Sequence, residues 1–282
     1  MPAALRRVES HVRAADGTLL FSRDWLPEHP SCRILLVHGY AEHSGRYEEL
    51  AGDLARRGAA VHAYDHRGHG RSAGPRCHVE RFEAYLEDLD LVLERTRTPD
   101  AEGPLFLVGH SMGGLIVLAY LASGQAPWIR GAAVSGPPLA LDPGLSRTRI
   151  RMARVLRRVA PRLSLASGID PAGLSRDPEV VKAYVDDPLV VRTMTASLGA
   201  ALLDQIPRTA ARASRIQVPL FMLHGEADPI CPSQATRRFF AEVKSPGSRL
   251  QLYPELRHEI FNEPERMQVY ADLWQWIEEL AS

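Results

Sequence analysis

The chain has 282 residues, 45% of them hydrophobic and 24% charged, the composition of a folded globular protein rather than a disordered or fibrous one. Lys plus Arg and Asp plus Glu each number 34, so no global charge draws the chain toward nucleic acid. No apolar run approaches the ~20 residues that span a bilayer, and residues 1–7 lack the apolar core of a secretory signal, so the expected location is cytoplasmic.

In chain order, residues 18–25 alternate in polarity and predict an early antiparallel strand. Short apolar runs at 34–37, 59–64, 105–108, 132–134 and 220–223 predict parallel strands covered on both faces, and 250–253 predicts a further strand. Helical spacing fills the intervals. Residues 46–57 carry Tyr47, Leu50 and Leu54 on one side, with Gly58 as a stop, and 82–95 carry Phe82, Tyr85, Leu86, Leu89 and Leu93. Residues 115–121, 233–243 and 265–280 predict three more helices. Strands alternating with helices argue for an α/β protein with a doubly wound parallel sheet.

The alternation breaks between Pro137 and Pro219, where helix-like pieces and prolines occur without a strand pattern. Ligands bind beyond the carboxyl ends of parallel strands, so this segment reads as a lid over that edge. The expected division is a core of 1–136 and 219–282 with a helical cap at 137–218. Within the cap, residues 145–165 hold Arg147, Arg149, Arg151, Arg154, Arg157, Arg158 and Arg162 and no acidic residue. Arg147, Arg151, Arg154, Arg158 and Arg162 share one helical face beside Ile150, Val155, Leu156, Val159 and Leu163. Such a face either is solvated or lies on an anionic lipid surface, making the protein peripheral to a membrane.

Gly109-His110-Ser111-Met112-Gly113 stands between a predicted strand and a predicted helix. That context marks G-x-S-x-G as a nucleophile elbow, with serine at the tip of a turn too tight for bulky neighbours. A serine hydroxyl needs a base within hydrogen-bond reach, and the base needs an acid to fix its tautomer. In elbow enzymes the acid and the histidine follow the serine in the chain. Asp228 lies in the turn after the strand at 220–223, and His258 follows the strand at 250–253. Glu226, in the same turn as Asp228, and Asp142 remain alternatives for the acid. His62, His66, His69 and His110 precede Ser111, and His38 and His224 suit structural roles beside their glycines. The oxyanion formed during acyl transfer needs two backbone N–H donors. Met112, after the serine, and Tyr40, in the loop after the strand at 34–37, are the expected pair.

The segments 38–47, 65–72, 109–114, 224–231 and 258–265 together resemble the monoacylglycerol lipases and related lysophospholipase-like serine hydrolases. The resemblance implies an α/β-hydrolase fold: a mostly parallel eight-stranded sheet flanked by helices, with a helical lid. It further implies hydrolysis of a monoacylglycerol to fatty acid and glycerol through an acyl-enzyme, without cofactor or metal. A lysophospholipase, a broad carboxylesterase or thioesterase, or a lipid-binding protein on a hydrolase scaffold are the other readings. Polar residues of the oxyanion segment border the glycerol end of the pocket in this group. Here Glu42, Arg46 and His110 are candidates for substrate contact or for scaffolding. The lipid ester is the expected partner, and none is expected among nucleic acids. Residues 65–72 hold His66 and His69 but no wider ligand cluster, so a structural turn is expected there. Cys32, Cys77 and Cys231 are too few and too far apart for a disulfide framework or a zinc motif.

Overall fold

The computed structural model describes residues 5–97, 103–124, 128–142 and 144–281. The first half runs β1 (Arg6–Arg13), β2 (Leu19–Leu26), β3 (Cys32–Val37), α1 (Glu48–Arg56), β4 (Ala59–Tyr64), α2 (Glu83–Arg95), β5 (Leu105–His110), α3 (Met112–Leu121) and β6 (Ile129–Ser135). Next come α4 (Arg147–Val159), β7 (Ser164–Ala166), α5 (Pro178–Asp186), β8 (Thr193–Thr195) and α6 (Ala196–Ala210). The chain closes with β9 (Leu220–Gly225), α7 (Ser233–Ala241), β10 (Arg249–Tyr253) and α8 (Arg266–Ala281).

Eight strands form one sheet in the order β1-β2-β4-β3-β5-β6-β9-β10. Strand β2 pairs antiparallel with β1 and β4, and the remaining neighbours pair in parallel. The fold is that of an α/β-hydrolase. Its parallel strands are apolar on both faces because each face carries its own core. Ile34, Leu36, Phe106 and Val108 point toward α1 and α8, meeting Leu54, Leu273 and Trp276. Leu35, Val37, Leu105 and Leu107 point the other way, toward Leu89 of α2, Leu118 of α3 and Phe239 of α7.

Strand β1 was not expected, because Arg6 to Arg13 carries Val8 and Val12 among residues otherwise polar. It lies at the sheet's edge with alternate residues exposed, where charged side chains discourage pairing with other chains.

Segment 137–218 supplies α4 to α6 and no strand of the large sheet. Two expectations for it are corrected. It does contain strands, because β7 and β8 pair antiparallel as a separate ribbon. Each has three residues, too few to leave a period in the sequence. The Arg-rich helix also stops at Val159 rather than continuing toward residue 165. Ala160 precedes Pro161 and leaves the helical region at φ −145°, since the proline ring crowds a helical conformation before it. The segment is fastened to the core by Thr195 Oγ1 donating to Cys77 O at 3.0 Å and Ser197 Oγ donating to Val79 O at 2.6 Å. No helix among the described residues is long and apolar enough to cross a membrane.

Candidate active site

Strand β5 ends at His110 and α3 begins at Met112, leaving Ser111 alone in the turn with φ 51° and ψ −119°. That conformation is costly for a residue with a side chain and persists only where the surroundings enforce it. Here they do. A Cβ on Gly113 would stand 2.0 Å from Val37 O, and one on Gly109 would stand 2.8 Å from Gly113 O. Glycine at both positions lets α3 fold back against β3. Ser111 N–H donates to Ser135 O at 2.8 Å and anchors the tip to β6.

His258 Nε2 accepts from Ser111 Oγ at 2.9 Å, and His258 Nδ1–H donates to Asp228 Oδ2 at 2.7 Å. An ionised carboxylate only accepts, so this contact sets the histidine tautomer and leaves Nε2 free to take a proton. Asp228 Oδ1 accepts from the N–H groups of Ile230 at 2.8 Å and Cys231 at 2.9 Å. Burial alone would raise the Asp228 carboxyl, but His258, His224 and the Cys231 N–H hold it well below the usual carboxylate range. Burial alone would lower His258, but the facing Asp228 carboxylate outweighs it and raises the imidazole above its ordinary value. The acid turn and the histidine loop touch through Gly225, where a Cβ would stand 2.1 Å from Leu256 O.

The alternatives for the acid point elsewhere. Glu226 pairs with Arg237, and Asp142 Oδ1 accepts from Gly144 N–H at 2.7 Å within its own turn. His224 has a role that its sequence position did not reveal. Its Nε2–H is shared between Cys231 O at 2.7 Å and Asp228 Oδ2 at 3.1 Å, while Thr236 Oγ1 donates to its Nδ1 at 2.8 Å. It braces the acid turn from beneath. His38, as expected beside Gly39, is bonded to backbone: its Nδ1 meets Gly39 O at 2.7 Å and its Nε2 accepts from His66 N–H at 2.8 Å.

Tyr40, Ser111 and Met112, the first and last being the expected oxyanion donors, line one cavity. Among the described residues, no protein acceptor takes the N–H of either one. Met112 also opens α3, whose aligned peptides place partial positive charge at that end. Next to them, Gly39 N–H donates to Glu42 Oε1 at 2.6 Å, and Tyr47 OH donates to the same oxygen at 2.7 Å. Arg46 Nη1 reaches Glu42 Oε2 at 3.0 Å and Glu259 Oε1 at 2.5 Å, while its Nη2 reaches Glu259 Oε2 at 2.8 Å. Burial raises Glu42 despite Arg46, whereas in Glu259 the forked Arg46 contact overcomes burial and lowers the carboxyl. His110 Nδ1 pairs with Ser135 Oγ at 2.8 Å, and its ring centre lies 4.8 Å from that of His258. Burial, with His258 adding to it, pushes His110 down to about 3, so it is neutral in the working range.

Two cavities meet at Ser111. The larger, about 290 Å³, is apolar and runs under the insertion between Leu139, Leu141, Leu202 and Ile206. The smaller, about 20 Å³, is bordered by Glu42, His110, Tyr184 and Glu259. Thus Glu42 and His110 border the reacting centre while also engaged in scaffolding bonds, and Arg46 stands behind them. Glu259 borders it too, although the sequence had assigned it nothing. The available signal was an acidic residue between His258 and the apolar pair Ile260-Phe261, which burial would oblige to find a cation.

Residues 28–265 match the family profile described as serine aminopeptidase, S33. The chain is 36% identical over 273 residues to the monoacylglycerol lipase of Mycolicibacterium smegmatis, covering 96% of this chain and 97% of that one. Identity to the human monoglyceride lipase is also 36%, covering 95% and 89% of the two chains. The crystal structure of Paleococcus ferrophilus monoacylglycerol lipase superposes with a TM-score of 0.82 at 34% identity, over 98% of this chain and 99% of that one.

Proposed function

The chain belongs to the α/β-hydrolase family of monoacylglycerol lipase-like serine hydrolases, and from that premise we propose that it cleaves monoacylglycerols to fatty acid and glycerol. The observation that carries this reading is the Ser111–His258–Asp228 relay at the junction of the apolar and carboxylate-bordered cavities. The acyl chain occupies the apolar cavity, and the ester's alcohol side faces the carboxylate-bordered end, which at about 20 Å³ must widen to admit a glycerol head group.

In the first step His258 Nε2 takes the Ser111 proton as Oγ bonds to the ester carbonyl carbon. The N–H groups of Tyr40 and Met112 hold the resulting oxyanion, and Asp228 stabilises the imidazolium. The carbonyl–alkoxy bond then breaks, and His258 returns its proton to the departing alcohol. Water repeats the sequence on the acyl-Ser111 ester, again losing a proton to His258, and frees the fatty acid and the serine.

Charge supports a hydroxylic head group over a phosphodiester. Glu42 and Glu259 border the smaller cavity, and among the described residues Arg46 is the one cation paired with them, so a phosphate would face an excess of negative charge. Glycerol hydroxyls would instead donate to these carboxylates.

We further propose that α4 sets the protein on an anionic lipid surface. Arg147, Arg149, Arg151 and Arg158 form no ion pair among the described residues, and Met152, Val155 and Val159 are exposed beside them.

The deciding comparison is turnover of a monoacylglycerol, a lysophosphatidylcholine and an acyl-CoA by the native chain and by Ser111→Ala. The monoacylglycerol is expected to be the preferred substrate, and Ser111→Ala to be inactive on all three. Retained turnover by Ser111→Ala overturns the mechanism, and preference for the phospholipid overturns the substrate.

A further inference from the structure

The residues around Arg46 form an unbroken line between the two halves of the catalytic machinery. Gly39, which precedes the oxyanion residue Tyr40, donates to Glu42 at 2.6 Å. Glu42 accepts from Arg46 at 3.0 Å, and Arg46 forks onto Glu259 at 2.5 and 2.8 Å. Glu259 immediately follows His258 in the chain and is fixed by Asn262 Nδ2 donating to its Oε2 at 2.9 Å and by its own N–H donating to Leu174 O at 2.8 Å. Each end of the line is therefore one peptide bond from a group that handles the reaction. The Tyr184 ring of α5 lies 4.8 Å from the Arg46 guanidinium and shields it from solvent.

We propose that Arg46 is a positioning residue that latches the oxyanion loop to the histidine loop by bridging the buried carboxylates of Glu42 and Glu259. The proposal rests on the Ser111–His258–Asp228 mechanism and deepens it. Stability is a poor account of the arrangement, because buried ion pairs can often be replaced by packed apolar residues at no loss. Its distinctive property is direction. A guanidinium fork fixes two planar partners at one distance and angle, which an ammonium cannot do. Loops separated by 213 residues in the sequence are thereby held in one register, with Tyr40 and His258 both bordering the cavity at Ser111.

The latch also sets the field at His258. Asp228, Glu259 and Glu42 face the imidazole with negative charge, neutral His110 packs against its ring, Arg46 offsets part of that charge, and His224 acts through Asp228. Loss of the Glu259 charge therefore destabilises the imidazolium and lowers the pH at which His258 becomes a competent base.

The test uses Arg46→Lys and Glu259→Gln in the full chain. Steady-state kinetics on a monoacylglycerol, the pH dependence of labelling by a fluorophosphonate and thermal melting are read together. Arg46→Lys keeps the charge but not the fork, and kcat is expected to fall on the order of tenfold with KM changed by less than about twofold. Glu259→Gln keeps the shape, and the acidic limb of labelling is expected to move to lower pH by up to about one unit. Lower melting temperature with native kcat and an unmoved limb would mean a structural brace and overturns the proposal. Native behaviour in every readout overturns it as well. Should Arg46→Lys not fold, the Glu259→Gln limb decides alone. An inactive Ser111→Ala beside native-like latch variants rejects the latch and keeps the mechanism; an active Ser111→Ala rejects the mechanism itself.

Discussion

His258 works between two opposed demands: burial disfavours its charged form, and the transition state requires that form. Asp228 resolves the conflict by outweighing burial, and the imidazole ends above its ordinary value. With neutral His258 as the proposed base, kcat/KM should fall as pH drops through this raised value, placing the acid limb above about 6.5, the ordinary histidine value. Asp228 sits below the carboxylate range and stays ionised across that window. Its depressed native value adds stability above the ordinary carboxylate range, and that increment disappears as pH falls through the range toward the native value. Asp228→Asn should lower kcat by about 10⁴-fold, because an amide N–H turned toward Nδ1 favours the wrong tautomer. A melting curve close to native beside that loss would separate the tautomer effect from unfolding. A kcat within tenfold of native would reject Asp228 as the orienting acid.

At the scale of elements, each catalytic group is held by a junction rather than by the body of a helix or strand. The elbow joins β5 to α3, the acid turn follows β9 and the histidine loop follows β10. The elbow is the most constrained of the three. Gly113→Ala would drive a methyl group into Val37 O, so α3 must shift from β3, and a stability loss of about 3 kcal/mol or more is expected by chemical denaturation. Stability within about 1 kcal/mol of native would show that the approach is softer than its geometry. Helix α4 belongs to a different class, since it buries no residue fully. Arg154 and Arg157 pair with Asp204 of α6 and fasten it, which leaves Arg147, Arg151 and Arg158 for an external surface. Replacing those three with Gln should abolish co-sedimentation with phosphatidylglycerol vesicles and spare hydrolysis of a water-soluble short-chain ester. Undiminished sedimentation would reject lipid docking by this face.

For the whole molecule, the sheet separates two cores and carries the site along one edge. Phe106 at its centre is fully buried, with its ring 6.1 Å from that of Trp276 in α8. Phe106→Ala should cost about 3–5 kcal/mol, seen as a lower denaturation midpoint at unchanged slope. A loss below about 1 kcal/mol would mean that the core collapses around the gap. The strands at this centre were legible because burial on both faces writes a continuous apolar run into local sequence. Strand β1 was not, since an exposed edge needs no such run, and β7 and β8 were too short to show a period.

The order of Ser111, Asp228 and His258, the elbow glycines and the Tyr40 loop could be read from the chain because each depends on neighbours a few residues apart. The bracing of Asp228 by His224 and the attachment of Glu259 to Arg46 could not. Those pairings form where loops from distant strands converge at one edge of the sheet. A lone carboxylate in sequence carries no record of which cation lies beside it once water is excluded. Local sequence determined which chemistry the chain carries, and tertiary structure decided which groups stand close enough to perform it.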